Sequence, residues 1–349
     1  MRHYTKQLNY GGILIGGGAP VLVQSMTNTK TSDSVATLEQ IKSLAALGCE
    51  LVRVAVPDVE AAHSLKTICA QSPLPVVADI HFDANLAVKA AASGVAGLRI
   101  NPGNLTGADN LKKVVAAAKA HKLPIRVGAN SGSLPKDLLD KPLDIALVEA
   151  ALRQVQMLES LDFYDIKVSL KSSNVLETMS ACRSFSRLSD YPLHLGITEA
   201  GGILAGAIKS GVGIGSLLLD GLGDTIRISL SAPPEEEVKA AWILLRACGL
   251  RKRGVEIISC PTCGRTAIDL MGMLEKIEPQ LSTIATPLTV AVMGCVVNGP
   301  GEAAHADLGI AGGAGKGVLF AKGKVIATLP EDELAPALLK EVEKLAAKN

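Results

Sequence analysis

The most constraining feature of this 349-residue chain is a repeat. From residue 20 to about residue 230, short β-branched runs alternate with helical stretches rich in Ala, Leu and Lys. The expected strands are Val21–Gln24, Leu51–Val56, Pro75–Ala78, Gly97–Ile100, Ile125–Asn130, Ile166–Ser169, Leu193–Ile197 and Thr225–Ser229. Amphipathic helices such as Val35–Leu47, Ala84–Ala92, Leu111–Ala120 and Leu143–Leu158 lie between them. Eight strand–helix units in one stretch fit an α/β fold of the TIM (β/α)8 barrel type. A doubly wound open sheet is the alternative that strand counting leaves. Aromatic residues make up only 3% of the chain, so the core must be built from Val, Ile, Leu and Ala, the usual filling of parallel sheets.

The repeat stops after residue 230. A helix over Glu235–Cys248 follows the Pro233-Pro234 turn, and the cationic run Arg251-Lys-Arg-Gly254 reads as a solvated linker. The remainder has a different grammar: a Cys-containing loop at Ser259–Arg265, a helix at Thr266–Ile277 and a strand at Leu288–Met293. A Gly-rich loop, a hairpin at Val318–Thr328 and a helix from Glu331 complete it. This is the pattern of a small α+β domain. The expected division is 1–250 and 251–349.

Charge narrows the partners. A formal net charge of +1 gives no general attraction to nucleic acid or to acidic membranes. Any anion site has to be a local cluster of cations. The N-terminal sequence lacks the apolar run of a signal peptide, and no segment has the ~20 uninterrupted apolar residues of a spanning helix. The expected location is the cytoplasm. Seven cysteines in a reducing compartment point to metal binding, catalysis or plain burial rather than disulfides.

Five expected strands carry a cation inside an apolar run: Arg53, Arg99, Arg126, Lys167 and Arg227. A strand buried on both faces has no cheap place for a charge. In a TIM barrel the inward face near the strand C-termini is the exception, because it lines the active site. Side-chain alternation puts Arg99 on one face with Asn101, and Arg126 with Gly128 and Asn130. Lys167 shares its face with Ser169 and Lys171, and Arg227 with Ser229. If those faces point inward, they build a pocket for a small polyanion with more than one phosphate, which the planar fork of Arg suits. Lys171, beyond the last β-branched residue of its strand, is the preferred ligand over the deeper Lys167. Taken singly, each cation has a plain alternative, pairing with a carboxylate or facing a helix. The turn Asn101–Asn104 and the loop Gly128–Gly132 also offer backbone N–H groups.

Cys260-Pro-Thr-Cys263 is followed by Cys295. Three chemistries compete for this set. A structural zinc site wants four Cys or His ligands, with only His305 available at an uncommon spacing. A thiol–disulfide couple wants a thioredoxin-like setting. An iron–sulfur cluster takes thiolates readily and leaves one iron for a weaker ligand. The other cysteines, Cys49, Cys69, Cys182 and Cys248, lie in or beside helices and read as buried thiols.

These motifs together resemble the 4-hydroxy-3-methylbut-2-enyl diphosphate synthase family, over nearly the whole chain. The barrel region carries Val23-Gln-Ser-Met-Thr-Asn-Thr29, Val52-Arg-Val-Ala-Val-Pro57, Asp79-Ile-His81 and Arg99-Ile-Asn-Pro-Gly-Asn104. It continues with His194-Leu-Gly-Ile-Thr-Glu-Ala-Gly201 and Gly223-Asp-Thr-Ile-Arg-Ile-Ser229. The most specific runs are Cys260-Pro-Thr-Cys-Gly-Arg-Thr266 and Gly294-Cys-Val-Val-Asn-Gly-Pro-Gly-Glu302. Asn104-Leu-Thr-Gly is one residue longer than the family pattern, and Lys30 stands where Asp is usual.

The resemblance implies a TIM barrel followed by a small α+β iron–sulfur domain like those of sulfite reductases. It implies a [4Fe–4S] cluster held by Cys260, Cys263, Cys295 and the carboxylate of Glu302. The implied substrate is 2-C-methyl-D-erythritol 2,4-cyclodiphosphate, held by Arg53, Arg99, Arg126, Asn130, Lys171, Arg227 and Ser229. Glu199 would be the acid or proton relay, whereas its sequence context alone allows a helix N-terminal carboxylate. Asp79 and His81 are candidates to polarise substrate hydroxyls. Ferredoxin or flavodoxin would supply electrons. A homodimer would bring one subunit's cluster domain over the other's barrel. The rival expectation is a redox-inert phosphosugar barrel enzyme with a structural zinc domain.

Overall fold

The computed structural model describes residues 2–105, 108–295, 305–313 and 315–348. The chain forms two compact units, Met1–Arg251 and Lys252–Asn349.

The first unit opens with an antiparallel hairpin, β1 (Leu8–Tyr10) and β2 (Ile13–Ile15). Strand and helix then alternate: β3 (Leu22–Met26), α1 (Ser34–Ala46), β4 (Leu51–Ala55), α2 (Val59–Gln71), β5 (Val76–Asp79) and α3 (Ala84–Ala91). Next come β6 (Gly97–Arg99), α4 (Ala108–His121), β7 (Ile125–Asn130), α5 (Leu143–Glu159), β8 (Ile166–Lys171) and α6 (Val175–Leu188). The series ends with β9 (His194–Leu195), α7 (Ile203–Leu219), β10 (Thr225–Ile226) and α8 (Pro234–Ala247). The sheet runs β8-β7-β6-β5-β4-β3-β10-β9 with every pair parallel. A parallel bridge from Val168 to Leu193 brings the two ends together, so the sheet curls into a nearly closed barrel. The open-sheet alternative is thereby excluded.

Local chemistry explains the helix starts. Asp33, Asp58, Asp83 and Asn174 each accept a backbone N–H from the first turn of α1, α2, α3 and α6, which satisfies donors the helix itself cannot. Outward-facing strand residues such as Val52, Ala78, Leu98, Val127 and Val168 pack on Ile41, Leu65, Ala87, Val114 and Ala151 of the helices.

The N-terminal hairpin, absent from the sequence expectations, closes the other end of the barrel. Tyr10 is fully buried there with Leu22, Leu51 and Val77. Its ring lies so near β6 that a Cβ on Gly97 would sit 2.5 Å from Tyr10 Cε1. The apolar floor leaves only the opposite end, where the strands terminate, open for a site.

The second unit contains β11 (Val255–Ser259), α9 (Leu270–Leu281), β12 (Leu288–Met293), β13 (Leu308–Gly313), β14 (Lys316–Ala321), β15 (Lys324–Pro330) and α10 (Glu331–Ala346). The strands lie in sequence order, parallel for β11-β12-β13 and antiparallel for β13-β14-β15. Leu334, Leu338 and Val342 of α10 share a core with Ile277, Val290 and Ile310.

Two expectations need correction here. The helix placed at Thr266–Ile277 begins at Leu270, because Asp269 accepts the Gly272 N–H and so sets the cap. The run Arg251–Gly254 is not uniformly solvated. Arg251 is tied to the barrel unit through Glu50 at 2.6 Å and lies over the Trp242 ring. Strands β11 and β13 were not among the expected elements. In β13 the cause is its glycine content, since the Phe320 ring covers Gly309 where a side chain would otherwise stand.

Candidate functional site

Strand alternation carries seven of the expected residues to one place. Arg53, Arg99, Arg126, Asn130, Lys171, Arg227 and Ser229 line a cavity of about 160 Å³ together with Asp79, His81 and Thr198. Asn130 and Lys171 are the last residues of β7 and β8 and lie in register, so this is the C-terminal end of the barrel. A second cavity, about 180 Å³, is lined by Arg2, Val21, Leu218 and Gly223 near the strand starts. Its one cation, Arg2, is paired with Asp224 at 2.9 Å, so this cavity offers no free charge to a ligand among the described residues.

Cations outnumber anions there. Arg53 and Arg99 share Asp79, at 3.4 and 3.0 Å, and Arg227 pairs with Glu237 at 3.2 Å. Arg126 has no carboxylate among the described residues. Its Nε and Nη2 donate to Ser169 Oγ at 3.3 and 3.0 Å, while its Nη1 is buried without a partner. Arg99 Nε is likewise unpartnered. Burial lowers Arg53 to about 10, opposed by Asp79 and reinforced by Arg227 and Arg99. Burial pushes Lys171 well below the usual lysine value, and Arg126, Arg53, Arg227 and Arg99 push it further. Burial alone would raise Asp79, yet Arg53, a hydrogen bond with His81, and Arg99 hold its carboxyl below the usual range. Cations bared toward a small cavity are the complement of a compact anion.

The two lysines of β8 separate as expected. Lys167 is 1% exposed and its Nζ lies 4.2 Å from the centroid of the Tyr10 ring, away from the cavity. Asn101, expected on the face of Arg99, turns its amide oxygen to the Gly103 N–H instead and does not line the cavity. Thr198, Gly196 and Glu237 were missed. The first two follow from the alternation His194, Gly196, Thr198, which extends the parity rule one strand further. A Cβ on Gly196 would collide with Lys171 Nζ, so this glycine is the notch that admits the lysine. Glu237 comes from α8, where strand parity carries no signal.

Glu199 follows Thr198 at the same rim and is exposed. Its φ is +52°, a left-handed conformation that costs a non-glycine residue roughly 1 kcal/mol or more. It does not cap the following helix, since α7 has Gly202 at its N-cap and no side-chain cap bond. The helix-terminal alternative for Glu199 therefore finds no support at α7.

In the second unit, β11 and β12 are parallel neighbours with Ser259 opposite Val292. Cys260 and Cys295 thus follow the same ends of adjacent strands. The Gly294 N–H donates to Cys260 Sγ at 3.2 Å, and Ala267 N–H donates to Gly294 O at 2.8 Å, tying the two loops together. Cys263 is exposed, and hydrogen bonds with Arg265, from its backbone foremost, hold the thiol below its usual value. Among the described residues no three of His, Cys, Asp and Glu close around a common metal position. Glu302 lies outside the described residues. By contrast Cys49, Cys69 and Cys182 are pushed up to about 12 by burial, which makes them unreactive. No helix among the described residues is long and apolar enough to cross a membrane.

Comparison with known proteins places this geometry. Solved structures share the barrel fold at low identity. Dihydropteroate synthase of Yersinia pestis matches with TM-score 0.51 and 12% identity, covering 70% of this chain and 98% of that one. Geobacillus kaustophilus 3-dehydroquinate dehydratase matches with TM-score 0.50 and 17% identity, covering 71% and 99%. Sequence relatives are far nearer. The 4-hydroxy-3-methylbut-2-en-1-yl diphosphate synthase (flavodoxin) of Lawsonia intracellularis is 56% identical over 99% of this chain and 98% of its own. The protein of the same name from Geobacter sulfurreducens is 52% identical over the full length of both. The GcpE TIM-barrel domain model matches residues 5–242 and the GcpE protein C-terminal domain model matches residues 256–344. With both domain models matched and full-length identity above half, the chain belongs to the GcpE family of 4-hydroxy-3-methylbut-2-en-1-yl diphosphate synthases.

Proposed function

We propose that this protein opens the ring of 2-C-methyl-D-erythritol 2,4-cyclodiphosphate reductively, with loss of a hydroxyl as water, to give 4-hydroxy-3-methylbut-2-enyl diphosphate. The observation that carries this reading is the cavity at the strand ends, where among the described residues five basic side chains share the lining with one carboxylate, Asp79, and Arg227 also pairs with Glu237. A cyclic diphosphate is small enough and charged enough to need such a site. The relatives are named for flavodoxin, an electron carrier. That favours a reductive reaction over the redox-inert barrel with zinc, and flavodoxin over ferredoxin as donor.

In this reading Arg99, Arg126 and Lys171 grip phosphoryl oxygens, and Arg53 and Arg227 close the charge around them. Ser169 fixes the plane of the Arg126 guanidinium and Glu237 that of Arg227, so both forks are set before substrate arrives. Asn130 and Ser229 supply neutral hydrogen bonds at the rim. Glu199, held in its strained turn beside Thr198, gives the proton that leaves with the departing hydroxyl.

The thiol set of the second unit fits an iron–sulfur cluster in its chemistry. Cys260 and Cys295 follow the same ends of adjacent strands, the Cys260 Sγ already accepts a backbone N–H, and thiolates are the usual ligands of such clusters. Cys260, Cys263, Cys295 and Glu302 would hold a [4Fe–4S] cluster, which supplies electrons one at a time to the reaction. We place the enzyme in the cytoplasm as a homodimer.

The test is anaerobic turnover. The purified chain, supplied with cyclic diphosphate and reduced flavodoxin, should release 4-hydroxy-3-methylbut-2-enyl diphosphate. Binding of the cyclic diphosphate without any reduction, in protein loaded with iron, would contradict the reading.

A further inference from the structure

Lys171 occupies an unusual electrostatic position. It is 7% exposed, at the end of β8, with its Nζ in the notch left by Gly196. It forms no ion pair among the described residues. The groups around it are overwhelmingly cationic: Arg126 of β7, Arg99 of β6, Arg53 of β4, and Arg227 beyond β10. Asn130, opposite it in register, is neutral. His194 of β9 and Cys182 of α6 also feel its charge, and His81, beside Arg99 and Asp79, lines the same cavity. The carboxylate of the cavity, Asp79, is committed to Arg53 and Arg99, and Glu237 of α8 is committed to Arg227. Deeper in the barrel, Asp224 is taken by Arg2.

Mutual repulsion among so many buried cations favours the loss of a proton from one of them. The guanidinium groups hold their protons most strongly, with intrinsic values about 2 or more units above an ammonium, so lysine gives way first. Of the two buried lysines, Lys171 alone lines the cavity, so its charge state answers to what fills it.

We propose that Lys171 is a neutral amine in the ligand-free enzyme and takes one proton from solvent when the cyclic diphosphate fills the cavity, so that substrate capture is proton-linked. The inference rests on the substrate reading above and adds to it a regulation of affinity by pH. An anion beside Nζ restores the ammonium, because its charge offsets the repulsion from the four arginines. The sign follows: uptake of a proton on binding makes affinity fall as pH rises, by up to about tenfold per pH unit, between the free and bound ionisation points. The ligand itself contributes no such change, since each of its phosphorus atoms carries one strongly acidic hydroxyl, already ionised. Lys167, sealed over Tyr10, keeps one state throughout.

The experiment is calorimetric titration of the anaerobically purified protein with 2-C-methyl-D-erythritol 2,4-cyclodiphosphate. It is run near pH 7.5 in buffers of different ionisation enthalpy, which reveals protons exchanged per site. Wild type should take up between about half and one proton. Lys171→Arg, whose guanidinium stays charged, should bind with uptake near zero. Binding by wild type without proton uptake would overturn the proposal, as would equal uptake in Lys171→Arg. A second measurement needs no ligand. Lysine side-chain NMR, with the signal of residue 171 identified by its loss in Lys171→Gln, should show a neutral amine near neutrality. Titration at the ordinary value of about 10.4 would overturn the proposal. Absence of any heat from the cyclic diphosphate would count against the substrate reading alone, and the NMR result would then decide the ionisation.

Discussion

The barrel cavity and the thiol loops are built on opposite principles. Cavity residues such as Arg53, Arg99, Arg126 and Lys171 belong to strands, and the hydrogen-bond ladder fixes which way each side chain points. Cys260, Cys263 and Cys295 stand beyond strand ends, where no ladder dictates direction. Alternation therefore carries information about position in the first case. In the second, only residue type and loop-to-loop bonds such as Gly294 N–H to Cys260 Sγ carry it. A rigid anion cradle and a thiol set assembled from loops suit a division of labour in which one unit holds substrate and the other delivers electrons.

That division is broken most severely at the thiols. Cys295→Ser, or the same change at Cys260 or Cys263, should lose iron and turnover together. Cys182→Ser should keep both, because that thiol is 1% exposed and faces Leu170 O in the barrel wall. Iron per chain and turnover on the same preparations check this. Full iron in Cys295→Ser would remove it from the ligand set.

Glu199→Gln should retain iron and bind cyclic diphosphate, yet lose turnover by roughly 10²–10⁴-fold, the usual contribution of a positioned proton donor. Undiminished turnover would show that the strained turn serves some other purpose.

Arg99→Ala should weaken cyclic diphosphate binding by about 1.5–3 kcal/mol, the range for a hydrogen bond to a charged group, with the cluster spectrum unchanged. Unaltered affinity would mean that the guanidinium serves Asp79 and not the ligand.

The gentlest probe is Gly196→Ala. Its Cβ would collide with Lys171 Nζ and oblige the lysine to shift. The same Cβ would stand 2.9 Å from the Arg227 backbone oxygen, so stability should fall by about 1–3 kcal/mol, the cost of one overpacked methyl, and affinity should drop as the lysine is displaced. Thermal melting beside a binding isotherm distinguishes a displaced lysine from a damaged barrel.

What was legible in the sequence follows the same division. The eight barrel strands were readable because β-branched runs mark a sheet buried on both faces. Their cations were readable because a charge inside such a run has few permitted destinations, although Lys167 lies over Tyr10 and not at the cavity. The N-terminal hairpin escaped because Leu8–Tyr10 and Ile13–Ile15 are too short to show alternation. Strand β13 escaped because Leu-Gly-Ile-Ala-Gly-Gly trades side chains for the Phe320 ring. Thr198 and Gly196 were within reach of the parity rule, but the expected strand Leu193–Ile197 holds no Lys or Arg to start the count from. For Cys260 and Cys263, spacing left cluster, zinc and dithiol open, and Glu302 entered through family resemblance.

The central claim is that substrate binding belongs to the barrel and iron to the second unit. It is tested most directly by measuring iron content and cyclic diphosphate affinity on the same preparations of Arg126→Ala and Cys295→Ser. Arg126→Ala should keep its iron and lose roughly tenfold or more in affinity, while Cys295→Ser should lose its iron and stay within about threefold of wild-type affinity. Wild-type affinity in Arg126→Ala, or equal loss of affinity in both variants, would contradict the account.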